Sequence, residues 1–363
     1  MALVLRRLDF ASAAAASPEH GRAARAHGRP SRTPRPGRIL AALAFASSAA
    51  AAERPVLPIP GLGEAAEMYF SPDGRFLVGN AKREGDAAHH VYIASVDGKV
   101  VRRINDTGED ACSFFFPDGK RIVWTSTRDW PELPKGNWSD PLNYPKGAEL
   151  YVSDLEGKNL KRLTRNQHYE AEVSVSPDGK WILFGREIDG RMDLWLMDAA
   201  GSNETRVTKT DDWQEGGAQF LPDGETILYR AWKREDQGKA RAMPMQIFTV
   251  KRDGSGVRQV TSGPGTHWAP FPAPDGKRFA YVKVLEGGSG RPNWEIFMMD
   301  LETGFETRLT ENERFDGFPA ISPDGRWLTF SSGREAKPGE RTLRQFLMDI
   351  GSLGIVPAKA KAR

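Results

Sequence analysis

The sequence predicts an all-β fold, a six-bladed β-propeller of four-stranded antiparallel blades over residues 53–350. Three observations predict it. A tetrapeptide ending in Pro-Asp-Gly occurs six times along the 363 residues. An alternating apolar run follows each copy. After each run come a second apolar block and a polar turn, and after all but the last a short final strand. Four short strands in each unit of about fifty residues mark a propeller blade.

The tetrapeptides are Ser71–Gly74, Phe116–Gly119, Ser176–Gly179, Leu221–Gly224, Ala273–Gly276 and Ser322–Gly325, with their Asp residues 45, 60, 45, 52 and 49 positions apart. Pro presets φ for the first corner of a turn, Asp accepts backbone hydrogen bonds, and Gly supplies φ > 0. Each tetrapeptide therefore joins two antiparallel strands. The runs that follow are Arg75–Val78, Lys120–Trp124, Lys180–Phe184, Glu225–Tyr229, Lys277–Tyr281 and Arg326–Phe330. Their alternation and β-branched or aromatic content read as half-buried or fully buried strands. The third strands are Val91–Ser95, Leu150–Asp154, Leu194–Asp198, Ile247–Val250, Ile296–Asp300 and Phe346–Asp349. Final strands end at Asn105, Thr164, Thr208, Thr261 and Thr310. The sixth unit lacks a matching outer strand. Either Val56–Ile59 or Gly354–Pro357, within a C-terminal tail of residues 351–363, is expected to supply it and remove the sheet edges.

The blocks SPDGKWILFGRE from Ser176, DLWLMDAAGSNETRVT from Asp193 and IFMMDLETGFETRLT from Ile296 resemble the WD40-like propeller repeat of TolB-type proteins. The resemblance runs from Met68 to Asp349 through all six units. It implies the fold; that repeat carries scaffolds, binding modules and a few enzymes, so it does not by itself name an activity. In that family a sizeable α/β domain precedes the propeller, whereas here few residues separate Glu53 from the first unit. The expectation is a propeller without that domain, and a role that cannot be carried over whole.

Residues 1–52 read as a basic leader with a signal peptide. Arg35 and Arg38 precede the uncharged run Ile39–Ala52, which ends in Ala50-Ala51-Ala52. A basic flank, a short apolar stretch and a small-residue cleavage site are the parts of an export signal. The run is short of the roughly 20 apolar residues that a membrane-spanning helix needs. A periplasmic or secreted protein without a transmembrane segment is expected. Residues 1–38 hold eight Arg, Asp9 and Glu19, a net charge of +6; the whole chain carries +3, which leaves 3 − 6 = −3 for the rest. A mildly acidic folded part gives no electrostatic footprint for nucleic acid. The single cysteine, Cys112, has no partner for an internal disulfide and suits a buried strand position.

In a propeller the Pro-Asp-Gly turns share one face with the turns between the two outer strands. The long insertions all fall on the opposite face. They bring Trp130 and Trp138 in unit two, Trp232 in unit four and Trp294 in unit five. Exposed aromatics beside Asn and Asp suit peptide or carbohydrate recognition; equally, such rings pack on one another. A second signal lies eight residues before each turn Asp, where units two to six carry Asp110, Glu170, Glu215, His267 and Asp316 and unit one carries Ala65. Rotational repetition is expected to gather these five at the channel mouth. There they would either cap strand ends in a wet channel or hold a divalent cation, Ca²⁺ or Mn²⁺ by their oxygen and imidazole donors. His89-His90 are expected in a solvated loop. Arg128, Arg186, Arg230 and Arg334 recur after the second strands and suit hydrogen bonds within the blades.

Two functions from different classes follow. One is an exported binding or scaffold module, likewise a monomer, that takes a protein, peptide or glycan at the loop-rich mouth. The sequence holds no G-x-S-x-G nucleophile elbow, phosphate loop or zinc spacing. The other is a metal-dependent propeller enzyme of the lyase or lactone hydrolase type that uses the five-residue ring. Oligogalacturonate lyases resemble this repeat, but they set several His and Gln around the metal and use seven blades. The binding module is the expected reading.

Overall fold

The computed structural model describes residues 54–239, 242–286 and 292–358. The leader and signal peptide lie outside the described residues. The described chain forms six four-stranded antiparallel sheets; five run in sequence order from an inner to an outer strand, and the sixth takes its outer strand from the N-terminal end. The inner strands are Glu64–Phe70, Asp110–Phe115, Tyr169–Val175, Trp213–Phe220, His267–Pro272 and Asp316–Ile321. Five outer strands have only two or three residues, such as Lys161–Arg162 and Glu306–Arg308. Among the described residues no helix is long and apolar enough to cross a membrane.

The turns form as their composition dictates. In all six, the Gly N–H donates to the carbonyl three residues back at 2.8–3.0 Å. The turn glycines have φ between 65° and 76°, where a side chain would be strained. The Asp carboxylates accept the backbone N–H two residues on, as Asp118 does from Lys120 at 2.8 Å. The recurring Thr at the end of the outer strand also has a structural task. Thr164, Thr208, Thr261 and Thr310 accept the N–H of the third strand at 2.8–3.0 Å. Unit one ends in Asn105 instead, and Asp110 of the next blade takes the Val91 N–H at 3.0 Å.

The core lies between blades, where adjacent sheets stack face to face. Trp124, Tyr151, Phe184, Tyr281 and Phe330 are fully buried there. The ring closes through the N-terminus. Val56–Pro58 pairs with Arg344–Asp349, matching Val56 to Met348 and Pro58 to Phe346. The described part of the C-terminal tail, residues 351–358, supplies no closing strand. It crosses the turn face instead, where Ile355 is buried and the Ala358 N–H donates to the Pro274 carbonyl at 2.8 Å.

Candidate functional site

Each inner strand breaks register with its neighbour at the same place. The shifts fall between Ala66 and Tyr69, Ala111 and Ser113, Ala171 and Ser174, Gly216 and Gln219, Trp268 and Phe271, and Gly317 and Ala320. At each shift one residue has positive φ: Glu67 (53°), Cys112 (36°), Glu172 (58°), Gly217 (58°), Ala269 (50°) and Phe318 (53°). A bulge of this kind adds a residue and re-aims the side chains around it. These six, each six residues before its turn Asp, line a single cavity on the propeller axis.

The predicted ring sits two residues earlier in each strand and does not converge. Asp110 accepts from Asn105 Nδ2 at 2.7 Å and lies 3.6 Å from His90 Nδ1. Glu170 accepts from Arg186 Nε at 2.5 Å and Asn166 Nδ2 at 2.9 Å. Glu215 accepts from Thr210 Oγ1 at 2.6 Å. His267 Nδ1 lies 3.3 Å from the Met245 carbonyl. Asp316 accepts from Arg334 Nη2 at 2.9 Å and Asn312 Nδ2 at 3.3 Å. All five are buried, each with its own partners. Among the described residues no three His, Cys, Asp or Glu side chains are grouped to hold a metal ion. Burial pushes the Glu170 and Asp316 carboxyls up despite their Arg partners, and pushes the His267 imidazole down. His90, expected in a solvated loop, is buried at the start of its strand.

The loop tryptophans are packed rather than free. Trp130 Nε1 donates to Glu149 at 3.1 Å. Trp138 meets Tyr169 at 6.0 Å between ring centroids, beside a close Tyr144–Tyr169 stack at 4.0 Å. Trp232 belongs to the second strand of blade four and is 1% exposed. Trp294 lies against Trp268 and Phe315 at 5.8 and 5.9 Å. Trp294, half-buried, meets the cavity wall through Trp268.

The axial cavity has two unlike walls. Blades one to four provide Glu67, Cys112, Glu172, Gln219 and Arg230; blades five and six provide Trp268, Phe271 and Phe318 with Pro270 and Pro319. Arg230 reaches the axis because Gly216 has no side chain. A Cβ at Gly216 would sit 2.6 Å from Arg230 Nη1 and collide with Glu172 Oε2. Across this gap the Arg230 guanidinium pairs with Glu172, whose other oxygen accepts the Gly217 N–H at 2.7 Å. Arg230 is 5% exposed, and its Nε and Nη1 have no partner. Its face lies over Trp232 at 4.8 Å. Of the four recurring arginines, Arg186 and Arg334 bond within their own blades, whereas Arg230 serves the channel.

Among the described residues Glu67 has no lysine, arginine or histidine partner. It accepts from Asn80 Nδ2 at 3.2 Å. Burial pushes its carboxyl up to about 7, against the Cys112 thiol hydrogen bond and with the nearby Glu172 charge. One tier nearer the Pro-Asp-Gly turns, the rings of Tyr69, Phe114 and Phe271 meet across the channel. Tyr69 stacks on Phe271 at 5.7 Å and tilts against Phe114 at 5.4 Å. They give the cavity a floor, so it opens toward the loop-rich face. The sequence reading gave Arg230 a hydrogen bond within its blade and did not single out Glu67, Glu172 or Phe318. The Gly216-Gly217 pair was the one available signal.

No family profile matches the chain. It is 26% identical over 245 residues to the Tol-Pal system protein TolB of Francisella tularensis subsp. mediasiatica, covering 67% of this chain and 50% of that protein. The chain thus spans half the length of that curated relative. Its fold matches an Agrobacterium tumefaciens protein assigned as TolB, with a TM-score of 0.55 and 21% identity over 81% of this chain and 96% of the other. An oligogalacturonate lyase in complex with manganese shares the fold at a TM-score of 0.54 and 15% identity, covering 82% and 93%. Repeat and fold agree: the described chain is a six-bladed β-propeller, similar to TolB proteins in sequence and in fold.

Proposed function

We propose that this protein is an exported binding module that docks a partner protein on the loop-rich face of its propeller, with the axial cavity as anchor. The observation that carries this is the two-walled cavity opening on that face. Its aromatic wall continues outward through Trp268 to Trp294 and Phe315, which remain half-buried. Aromatic anchors at the centre of a concave patch are the usual energetic core of a protein interface. The relative named as a Tol-Pal system protein makes a Pal-type envelope protein the first partner to try. The spread of Asp110, Glu170, Glu215, His267 and Asp316 over separate partners argues against the metal-dependent reading.

Binding of a soluble Pal-type domain from the same genome, measured by biolayer interferometry, tests this. Trp268→Ala and Phe318→Ala are expected to weaken it at least tenfold, on the order of 1.4 kcal/mol or more. Lys120→Ala, exposed on the turn face, is expected to bind as the parent does. Mouth variants that bind normally, or a loss confined to Lys120→Ala, would put the interface elsewhere. No binding by the parent protein would remove this partner.

A further inference from the structure

We propose that the axial cavity receives the free amino end of a peptide, its ammonium meeting Glu67 and its first carbonyl oxygen meeting Arg230. This rests on the reading of the mouth as a protein-docking site and names what enters its centre.

Four observations lead to it. First, the cavity has a floor of Tyr69, Phe114 and Phe271 rings. An occupant enters from one side only, so a chain end or a single side chain fits and a threaded chain does not. Second, Glu67 is a carboxylate on the axis with no lysine, arginine or histidine paired to it among the described residues, and Glu172 adds a second carboxylate to the same cavity. One guanidinium, Arg230, offsets one of the two. The site therefore gains an unbalanced negative charge when Glu67 ionises, and a cation is the occupant that this charge favours. Third, Arg230 is nine-tenths buried, lines the cavity and leaves Nε–H and Nη1–H without acceptors. Buried donors in this state call for an acceptor oxygen. Fourth, blades one and four face each other across a six-membered ring, so Glu67 and Arg230 approach the occupant from opposite walls.

A simple alkylammonium would satisfy Glu67 and leave Arg230 unanswered. A carboxylate would satisfy Arg230 and meet both Glu67 and Glu172 as like charges. An α-ammonium beside a peptide carbonyl answers both. The first side chain then lies against Trp268 and Phe318, whose rings also favour a neighbouring cation. The same chemistry is offered by the amino terminus of a docked partner or by a free amino-acid amide.

Titration calorimetry on the full chain tests the proposal, with Ala-Ala-Phe amide, its N-acetylated form and phenylalaninamide as probes. The free-amine peptide is expected to bind at least tenfold more tightly than the acetylated one. Glu67→Gln is expected to reduce that ratio to near one while the melting temperature stays within a few degrees. The preference for the free amine is expected to grow from pH 6 to pH 7.5, as Glu67 ionises. Burial pushes the Cys112 thiol and the Tyr69 and Tyr169 phenols beside Glu67 up, so they stay neutral in this window; Glu172 remains paired with Arg230 across the cavity. Phenylalaninamide binding as well as the peptide would identify a free amine as a sufficient ligand. Equal binding of acetylated and free peptides, or no binding of either at millimolar concentration, overturns the proposal. A partner protein that still needs Trp268 and Phe318 would then leave the docking surface standing without an amino-end pocket.

Discussion

Deleting residues 54–60 is expected to lower the melting temperature by on the order of 10 °C. The deletion removes the strand Val56–Pro58, its pairing with Arg344–Asp349, and Ile59, which is 5% exposed and whose N–H donates to the Gln345 carbonyl at 2.9 Å. Burying one Ile side chain contributes about 2 kcal/mol. Each backbone hydrogen bond adds about 1 kcal/mol. The loss is therefore roughly 4 kcal/mol before the exposed edge of blade six is counted. That edge is also a template for pairing with a second chain, so concentration-dependent association should accompany the loss. Removing residues 356–358 is the control. Val356 is 73% exposed and the segment contributes the single Ala358 hydrogen bond, so its deletion should shift melting by only a degree or two. Equal effects from the two deletions would mean that the N-terminal strand does not close the ring.

Glu215→Gln is expected to change stability in a pH-dependent way. Glu215 is 2% exposed, with Thr210 on one oxygen and no partner on the other. Blade three places Arg186 opposite Glu170; blade four places Ala231 opposite Glu215. Burial pushes the Glu215 carboxyl from 4.5 up to about 7, with Thr210 and the more distant Arg206 opposing the rise and Asp193 adding to it. A raised carboxyl means that the folded state holds its proton more tightly than the unfolded state does. The resulting stability is fully present below the unfolded value and is lost as pH rises toward 7. One pKa unit corresponds to about 1.4 kcal/mol, so the wild-type chain should lose about 3 kcal/mol through this residue between pH 4.5 and 7.5. The Gln variant cannot ionise and should lack that slope. Its stability relative to wild type, measured by urea unfolding, should improve by about 2–3 kcal/mol between pH 5 and pH 8. A difference that does not change with pH would show that Glu215 is ionised throughout.

The fold was legible because its determinants are local. Pro, Asp and Gly in the six turns set backbone geometry without help from distant residues, and the runs after them alternate as sheet strands do. The closing strand was not, because Val56–Ile59 and Gly354–Pro357 have similar β propensity and only three-dimensional proximity chooses between them. The site was half legible. The sequence located the strands that line the axial cavity and the end on which it opens. It chose the column with Asp110, Glu170, Glu215, His267 and Asp316 because those residue types stand out. The bulge reverses that choice: positive φ at Glu67, Cys112, Glu172, Gly217, Ala269 and Phe318 turns this second column toward the axis. Its types differ from blade to blade, so no repeat signal advertises it. Arg230 was equally hidden, since its reach to Glu172 depends on the missing side chain of Gly216 in the neighbouring strand.

Thiol labelling reads directly which column faces the axis. In a Cys112→Ser background, Ala269→Cys and His267→Cys are treated in the native fold with 2-aminoethyl methanethiosulfonate, a small ammonium-bearing reagent. Ala269 lines the cavity, and His267 is 5% exposed beside Met245. Rapid modification is expected at position 269, slowed by a bound partner, and modification at position 267 only after unfolding. Rapid labelling at 267 with protection at 269 would contradict it and return the site to the ring of acids two residues earlier.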